Sequence, residues 1–298
     1  MFNKMYIKSV FKHYINKKML KLGLGNASVP SFHGERKHLT VLFSDIFSFI
    51  YYLVKQLPEE TVSNLGEYFT EMVDVILRYG GLVDKFRGGD MMVEFGVPIH
   101  FPDHAERACL AALEMVRSFD RLRERWMQEG KEVFDIKIGI NTGDMIVGNI
   151  GSKHIFDYTV IGGAVAFGVR LRDINQIYPT ANHIVISEFT KNELSDEIVT
   201  RELDTVRVKG WNKPVAIFEL IGEKDYFTYP DEYLPHFNEG IAKYKNQEWD
   251  RALSEFKKAL NFKEDDLSKM YIKRCKHFKK YSPGTEWDGV FMLRIGGT

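Results

Sequence analysis

The stretch LTVLFSDIFSF, residues 39–49, decides how the chain is read. Its β-branched and aromatic residues make a short buried strand that ends by delivering one carboxylate, Asp45. An isolated buried carboxylate is costly unless it meets a cation or strong donors, so Asp45 is either a turn cap or a ligand for a positive ion. Helical spacing follows over 59–79 and stops at Gly80-Gly81. Two apolar runs, LVDKF (82–86) and MMVEF (91–95), flank Arg87-Gly88-Gly89 in the pattern of a hairpin. A second helical segment over 103–128 leads into the strand FDIKIGINTG (134–143), and TVIGGAVAFGVRL (159–171) reads as a strand turning into a helix. The order β-α-β-β-α-β with helices on one face is the ferredoxin-like plan, an α+β fold.

A chain of 298 residues has room for one ordinary domain and a smaller appendage. Its 41 basic and 41 acidic residues cancel, which removes any bulk attraction to nucleic acid and makes any basic site local. Cys109 and Cys275 are far apart with no Cys or His at ligand spacing, so neither a disulfide framework nor a cysteine zinc site is expected. Reduced thiols and a cytoplasmic setting follow, with membrane association through a partner or an upstream module left open. The opening MFNKMYIKSVFKHYINKKML is neither a signal peptide nor a membrane span. Ile7, Val10, Phe11 and Tyr14 make a short amphipathic helix, which packs on the chain's own surface or docks to an anionic membrane or another module. The expected division is a helix and linker over 1–34, a main domain over 35–222 and a helical segment over 229–298.

In the main domain, Asp45 stands in register with four further segments: GGLVDKFRGGDMMVEFG (80–96), DIKIGINTGDMIVGNIGS (135–152), DYTVIGGAVAFGVRL (157–171) and VRVKGWNKPVAIFEL (206–220). Together they resemble the class III adenylyl and guanylyl cyclases across 35–222. The resemblance implies a head-to-tail pair of catalytic domains, as homodimer or heterodimer, each site shared across the interface. It also implies two magnesium or manganese ions that activate the ribose 3′-hydroxyl and neutralise the triphosphate. By the same resemblance Asp45 and the backbone carbonyl of Ile46 hold metal. Lys85 contacts the purine, Thr159 accepts from the adenine amino group, Arg170 stabilises the reacting phosphoryl group and Lys209 meets the terminal phosphates. The Lys85/Thr159 pair favours ATP over GTP.

Two positions depart from the family pattern. Gly89 stands where the second metal aspartate belongs, and the carboxylate comes one residue later, at Asp90. In a regular strand that shift turns the side chain to the opposite face; in a glycine-rich turn the alternation is looser and Asp90 still reaches an ion. Ala166 replaces the asparagine that orients the ribose, a loss of about 2–4 kcal/mol of transition-state stabilisation. Gly163 and Ser48 replace a common aspartate and glycine. Gly88-Gly89-Asp90 also resembles the hairpin of diguanylate cyclases, but Met91-Met92 follows and no other segment fits them.

Past Tyr229, the residues Gly240, Ala252, Phe256 and Ala259 stand at the spacings of one tetratricopeptide unit, with its tyrosine displaced to Tyr244. A single unit cannot bury its own face, so this segment should dock on the cyclase-like domain or on a protein partner. Two functions follow from these residues: an adenylate cyclase of reduced turnover, or a pseudocyclase that binds ATP or dimerises to regulate a complete partner.

Overall fold

The computed structural model describes residues 34–152, 154–207, 211, 213–226 and 229–290. The amphipathic stripe over 7–14, the linker up to residue 33 and Lys209 lie outside them. Strand β1 (Glu35–Ile46) leads to helices α1 (Phe49–Lys55) and α2 (Pro58–Arg78). The hairpin β2 (Leu82–Arg87) and β3 (Asp90–Phe95) comes next, then α3 (His104–Gln128) and the long strand β4 (Ile136–Gly151). Strand β5 (Phe156–Ile161) precedes α4 (Gly163–Ile174), β6 (Ile184–Ser187), α5 (Glu188–Lys191), β7 (Ile198–Val206) and β8 (Val215–Glu223). The chain closes with α6 (Tyr233–Lys245), α7 (Trp249–Phe262) and α8 (Asp266–Lys280).

The strands form one 8-stranded sheet in the order β2-β3-β1-β4-β6-β8-β7, with β5 antiparallel to the far half of β4. The β-α-β-β-α-β plan is present in β1 to β4. Helices α2 and α3 cover one face, where Tyr68, Met72, Phe119 and Trp126 pack against Leu42, Ile46, Ile138 and Ile140. Contrary to the sequence expectation, the other face is covered as well. Leu39, Val41 and Phe43 point there, towards Ala164 on α4, so β1 is apolar on both parities and buried on both sides.

Glycine sets how close α4 can come. A Cβ on Gly139 would fall 2.2 Å from the backbone nitrogen of Arg172, so only glycine lets that turn of α4 rest on the centre of the sheet. This close seat carries the Arg172 side chain to the end of β1.

The last helices dock on the sheet itself. Phe237, Ile241, Phe256 and Tyr271 share a cluster with Leu203, Val206, Val215 and Ile217 of β7 and β8. Gly240 lies under the Phe256 ring, where a Cβ would be 2.7 Å from Cε1, which is why α6 and α7 approach closely. Trp287 packs edge-on against Tyr244 and at a tilt against Trp249 and Phe278, and closes the group. Charge is buried at this junction too. Arg201, 2% exposed, donates to Glu219 at 2.9 Å and to Asp265 at 2.9 Å, and also meets the Tyr233 hydroxyl. Arg274 donates to Asp204 at 2.5 Å, and Tyr178 donates to the same carboxylate at 2.6 Å. Among the described helices none is long and apolar enough to cross a membrane.

Candidate active site

Register builds the site. Across β1 and β3, Phe43 pairs with Met92 and Ser44 with Met91. One further step along that ladder sets Asp45 opposite Asp90, and on its other side Asp45 pairs directly with Lys137 of β4. The three side chains make a row across three strands, on the face covered by α4. The Lys137 ammonium donates to Asp45 at 2.9 Å. Arg172 and Arg87 each reach the same oxygen of Asp90 at 2.9 Å.

Sequence alone left the direction of Asp90 open. The structure brings it to Asp45, because residue 89 sits in the turn and residue 90 is the first rung of β3, paired with Arg87. Moving the carboxylate from 89 to 90 therefore takes it out of the turn and onto the ladder. Gly88 has a φ of 62°, and the ring of Phe49 covers the turn so closely that a Cβ on Gly89 would lie 3.0 Å from its Cδ2. Ser48, just before α1, has a φ of 52°, a left-handed conformation in which glycine carries no penalty.

The two aspartates hydrogen-bond to each other, and their environments push them apart. Burial raises the Asp45 carboxyl, and the neighbouring Asp90 adds to that against the opposing pull of Lys137. Burial also acts to raise Asp90, but the bond from Asp45 and the guanidiniums of Arg87 and Arg172 outweigh it and hold Asp90 below the ordinary aspartate value. The neighbours thus split the pair, Asp45 upward and Asp90 downward. Ile46 ends β1 with its side chain buried under the helices at 1% exposure.

Lys85 and Thr159 come together through a residue that the sequence reading passed over. Thr159 is buried and donates its hydroxyl proton to Asp84. Lys85 lies 3.5 Å from Asp84 and 3.6 Å from Asp157. With its proton committed to Asp84, the Thr159 oxygen keeps lone pairs free to accept. Next to Asp84, Glu94 is fully buried, and burial together with the Asp84 charge drives its carboxyl well above the ordinary range.

Arg170 is half-buried on α4 and has no ion pair among the described residues; its neighbour two positions on, Arg172, is the one joined to Asp90. Ala166, one turn earlier, is exposed. Phe43, Lys85, Asp90, Met92, Val169 and Arg172 line a cavity of 130 Å³. A larger open groove between α2 and α3, around Glu71, Arg78 and Arg121, involves none of these residues.

The family model described as "Adenylate and Guanylate cyclase catalytic domain" matches residues 33–222. The chain belongs to that family. It is 28% identical over 212 residues to "Adenylate cyclase 1" of Rhizobium meliloti (strain 1021), an alignment spanning 71% of this chain and 32% of that protein. Among solved structures it is similar to the adenylyl cyclase CyaB from P. aeruginosa, with 34% identity and a TM-score of 0.61 over 66% of this chain and 100% of that one. It is similar to the guanylyl cyclase Cya2 to nearly the same degree, with 33% identity and a TM-score of 0.59 over 66% of this chain and 98% of that one. Overall likeness to the two kinds of cyclase is therefore equal, and the choice of base rests on local residues.

Within this cyclase domain, sequence reasoning missed Lys137, Arg172, Asp84 and Glu94. The signal for Asp84 was its place beside Lys85 on a strand. For Lys137 and Arg172 the signal is the β1 ladder and the seat of α4, which no short motif carries.

Proposed function

We propose that the chain is an adenylate cyclase of reduced turnover, converting ATP to 3′,5′-cyclic AMP and pyrophosphate in intracellular signalling, at a site shared between two cyclase domains. The observation that carries this reading is the carboxyl of Asp90 meeting that of Asp45 at the end of β1, partly open to solvent. Two facing carboxyls fit a hard divalent cation, which takes oxygen ligands. Asp45, the Ile46 carbonyl and Asp90 would hold magnesium or manganese, which when bound acidifies the ribose 3′-hydroxyl and offsets triphosphate charge.

The chain's own residues supply the rest. Thr159 accepts from the adenine amino group with the lone pairs that Asp84 leaves free, and Lys85 donates to a ring nitrogen. Arg170, without an ion partner among the described residues, meets the charge that develops on the α-phosphoryl group. Lys209 meets the terminal phosphates. The 3′-oxygen forms a bond to the α-phosphorus as the bond to the bridging oxygen breaks, the hydroxyl proton passes to solvent, and pyrophosphate leaves.

A second domain is needed because a 130 Å³ cavity is smaller than the roughly 300–1,000 Å³ of ordinary ligand sites. Exposed Ile50, Val54 and Val62 around α1, and Ile155 and Ile161 around β5, offer apolar surface for another cyclase domain to cover. The helices α6 to α8 fit one tetratricopeptide-like unit whose inner face is satisfied by β7 and β8, leaving their outer face for a protein partner.

The test is cyclic AMP formation from ATP with magnesium or manganese, for the chain as it stands and for Gly89→Asp/Asp90→Gly/Ala166→Asn. Measurable turnover that Asp45→Asn abolishes supports the enzyme. The pseudocyclase reading is favoured by the engagement of both aspartates with Lys137, Arg87 and Arg172. It prevails if neither protein turns over while Lys85→Ala removes ATP binding.

A further inference from the structure

At the opposite end of β1 from Asp45, about 23 Å along the strand at 3.3 Å per residue, three side chains from distant parts of the chain converge. They are His38 of β1, His104 in the first turn of α3, and Glu193 just beyond α5. One ligand atom from each lies within 4.8 Å of the others. His38 Nε2 is 2.6 Å from Glu193 Oε1, and His104 Nε2 is 3.9 Å from Glu193 Oε2.

The surroundings fix which nitrogens carry protons. Thr142 donates its hydroxyl proton to Thr190 at 3.1 Å, so in its 2.7 Å bond to Thr40 it accepts and Thr40 donates. Thr40 then has only lone pairs left for His104 Nδ1 at 2.9 Å, so Nδ1 holds the proton and donates. His104 is 3% exposed, and its Nε2 faces the Glu193 carboxylate at 3.9 Å, too far for a hydrogen bond. On the other ring, His38 Nδ1 donates to Asp144 at 2.9 Å, and Asp144 also has Arg36 at 3.8 Å. Both histidines thus have Nδ1 held by an oxygen and Nε2 aimed at one carboxylate, the arrangement in which outer-shell acceptors orient metal-ligating imidazoles; His38 Nε2 donates to Glu193 at 2.6 Å, and a bound cation would displace that proton.

We infer that His38, His104 and Glu193 form a site for one divalent cation of the zinc class, with a fourth position left to water. Two imidazoles and a carboxylate suit zinc, whereas magnesium prefers an all-oxygen site such as Asp45 with Asp90. About 3.3 Å is the edge of a tetrahedron with 2.0–2.1 Å bonds, so His104 Nε2 draws in from 3.9 Å while His38 Nε2 opens from 2.6 Å. A cation there would clasp β1, the start of α3 and the segment after α5 into one unit. The spacing of Cys109 and Cys275 gives no hint of it, because its ligands are separated by 66 and 89 residues, 104 minus 38 and 193 minus 104.

The full chain, stripped with a chelator, is titrated with Co²⁺ as a spectroscopic probe and then with Zn²⁺. The expected result is one equivalent with visible d–d absorption that one equivalent of Zn²⁺ displaces, retained in Asp45→Asn. His38→Gln should weaken Zn²⁺ binding by about 100-fold and Asp144→Asn by about 10-fold. His38 is half exposed, so its replacement does not threaten folding as His104→Gln could. Absence of binding overturns the inference. So does binding that survives His38→Gln, or that disappears in Asp45→Asn, which would place the ion at the aspartates.

Discussion

Two groups of buried and half-buried charge lie on the same sheet and behave in opposite ways. Where α6 to α8 meet β7 and β8, Arg201 is bonded to Glu219, Asp265 and Tyr233, and Arg274 to Asp204. Both arginines have a carboxylate at bonding distance, and the result is a sealed joint. At the end of β1, Asp45 and Asp90 touch each other and stay partly open to solvent, with side-chain exposures of 15% and 20%. Charge that is fully paired in the interior holds parts together. Charge left partly in competition at a surface is poised to exchange one partner for another.

The largest expected effect tests the joint. Asp265→Ala takes from Arg201 one of its two carboxylates and from α8 its N-cap, and should cost about 3–5 kcal/mol of stability, read from urea unfolding. A loss under 1 kcal/mol would mean that water reaches the joint and the contrast fails. On the reacting side, Ala166→Asn should restore about 2–4 kcal/mol of transition-state stabilisation, a hundredfold to thousandfold rise in cyclic AMP formation. An unchanged rate would show that ribose orientation is not what limits turnover. Thr159→Val removes one acceptor and should reduce the preference for ATP over GTP about tenfold, or ~1.4 kcal/mol, in competition assays.

A smaller effect appears in pH. Glu94 keeps its proton in the folded chain to a pH well above its ordinary value of 4.5. Between that value and the folded one, the native state binds more protons than the unfolded state, so stability falls as pH rises. Glu94→Gln should remove this part of the decline, visible as a flatter melting temperature against pH from about pH 4.5 upward. The smallest change concerns Ser48, where Ser48→Gly relieves a left-handed backbone and should add about 1 kcal/mol in the same urea assay.

The fold was legible where the signal is local. The apolar run at 39–43, the helical spacing before Gly80 and the two runs around Gly88-Gly89 each specify an element from neighbouring residues alone. The second covered face was present in the sequence as apolar residues on both parities of β1, though the plan with helices on one face overlooked it. The site was half legible. Asp45, Lys85, Thr159 and Arg170 stand in motifs, but Lys137 lies 92 residues from Asp45, and Arg172 lies 82 from Asp90, by subtraction of their numbers. Such pairs depend on strand register and on how α4 is seated, which are properties of the assembled sheet. Arg170 and Arg172 show the limit most directly. Both are arginines on one helix, and only the packing around Gly139 reveals which of them reaches an aspartate.

The ladder between β1 and β4 runs without a break from Glu35 opposite Val147 to Ile46 opposite Ile136, and β3 flanks β1 on its other side. Amide hydrogens in such a doubly flanked strand exchange with solvent only when the whole domain opens. Lys85 sits instead on β2, at the edge of the sheet, with one neighbouring strand. The carboxylate Asp45 is therefore mounted on the slowest-exchanging part of the molecule, and Lys85 on a hairpin that can breathe by itself. Deuterium uptake should label β2 well before the centre of β1.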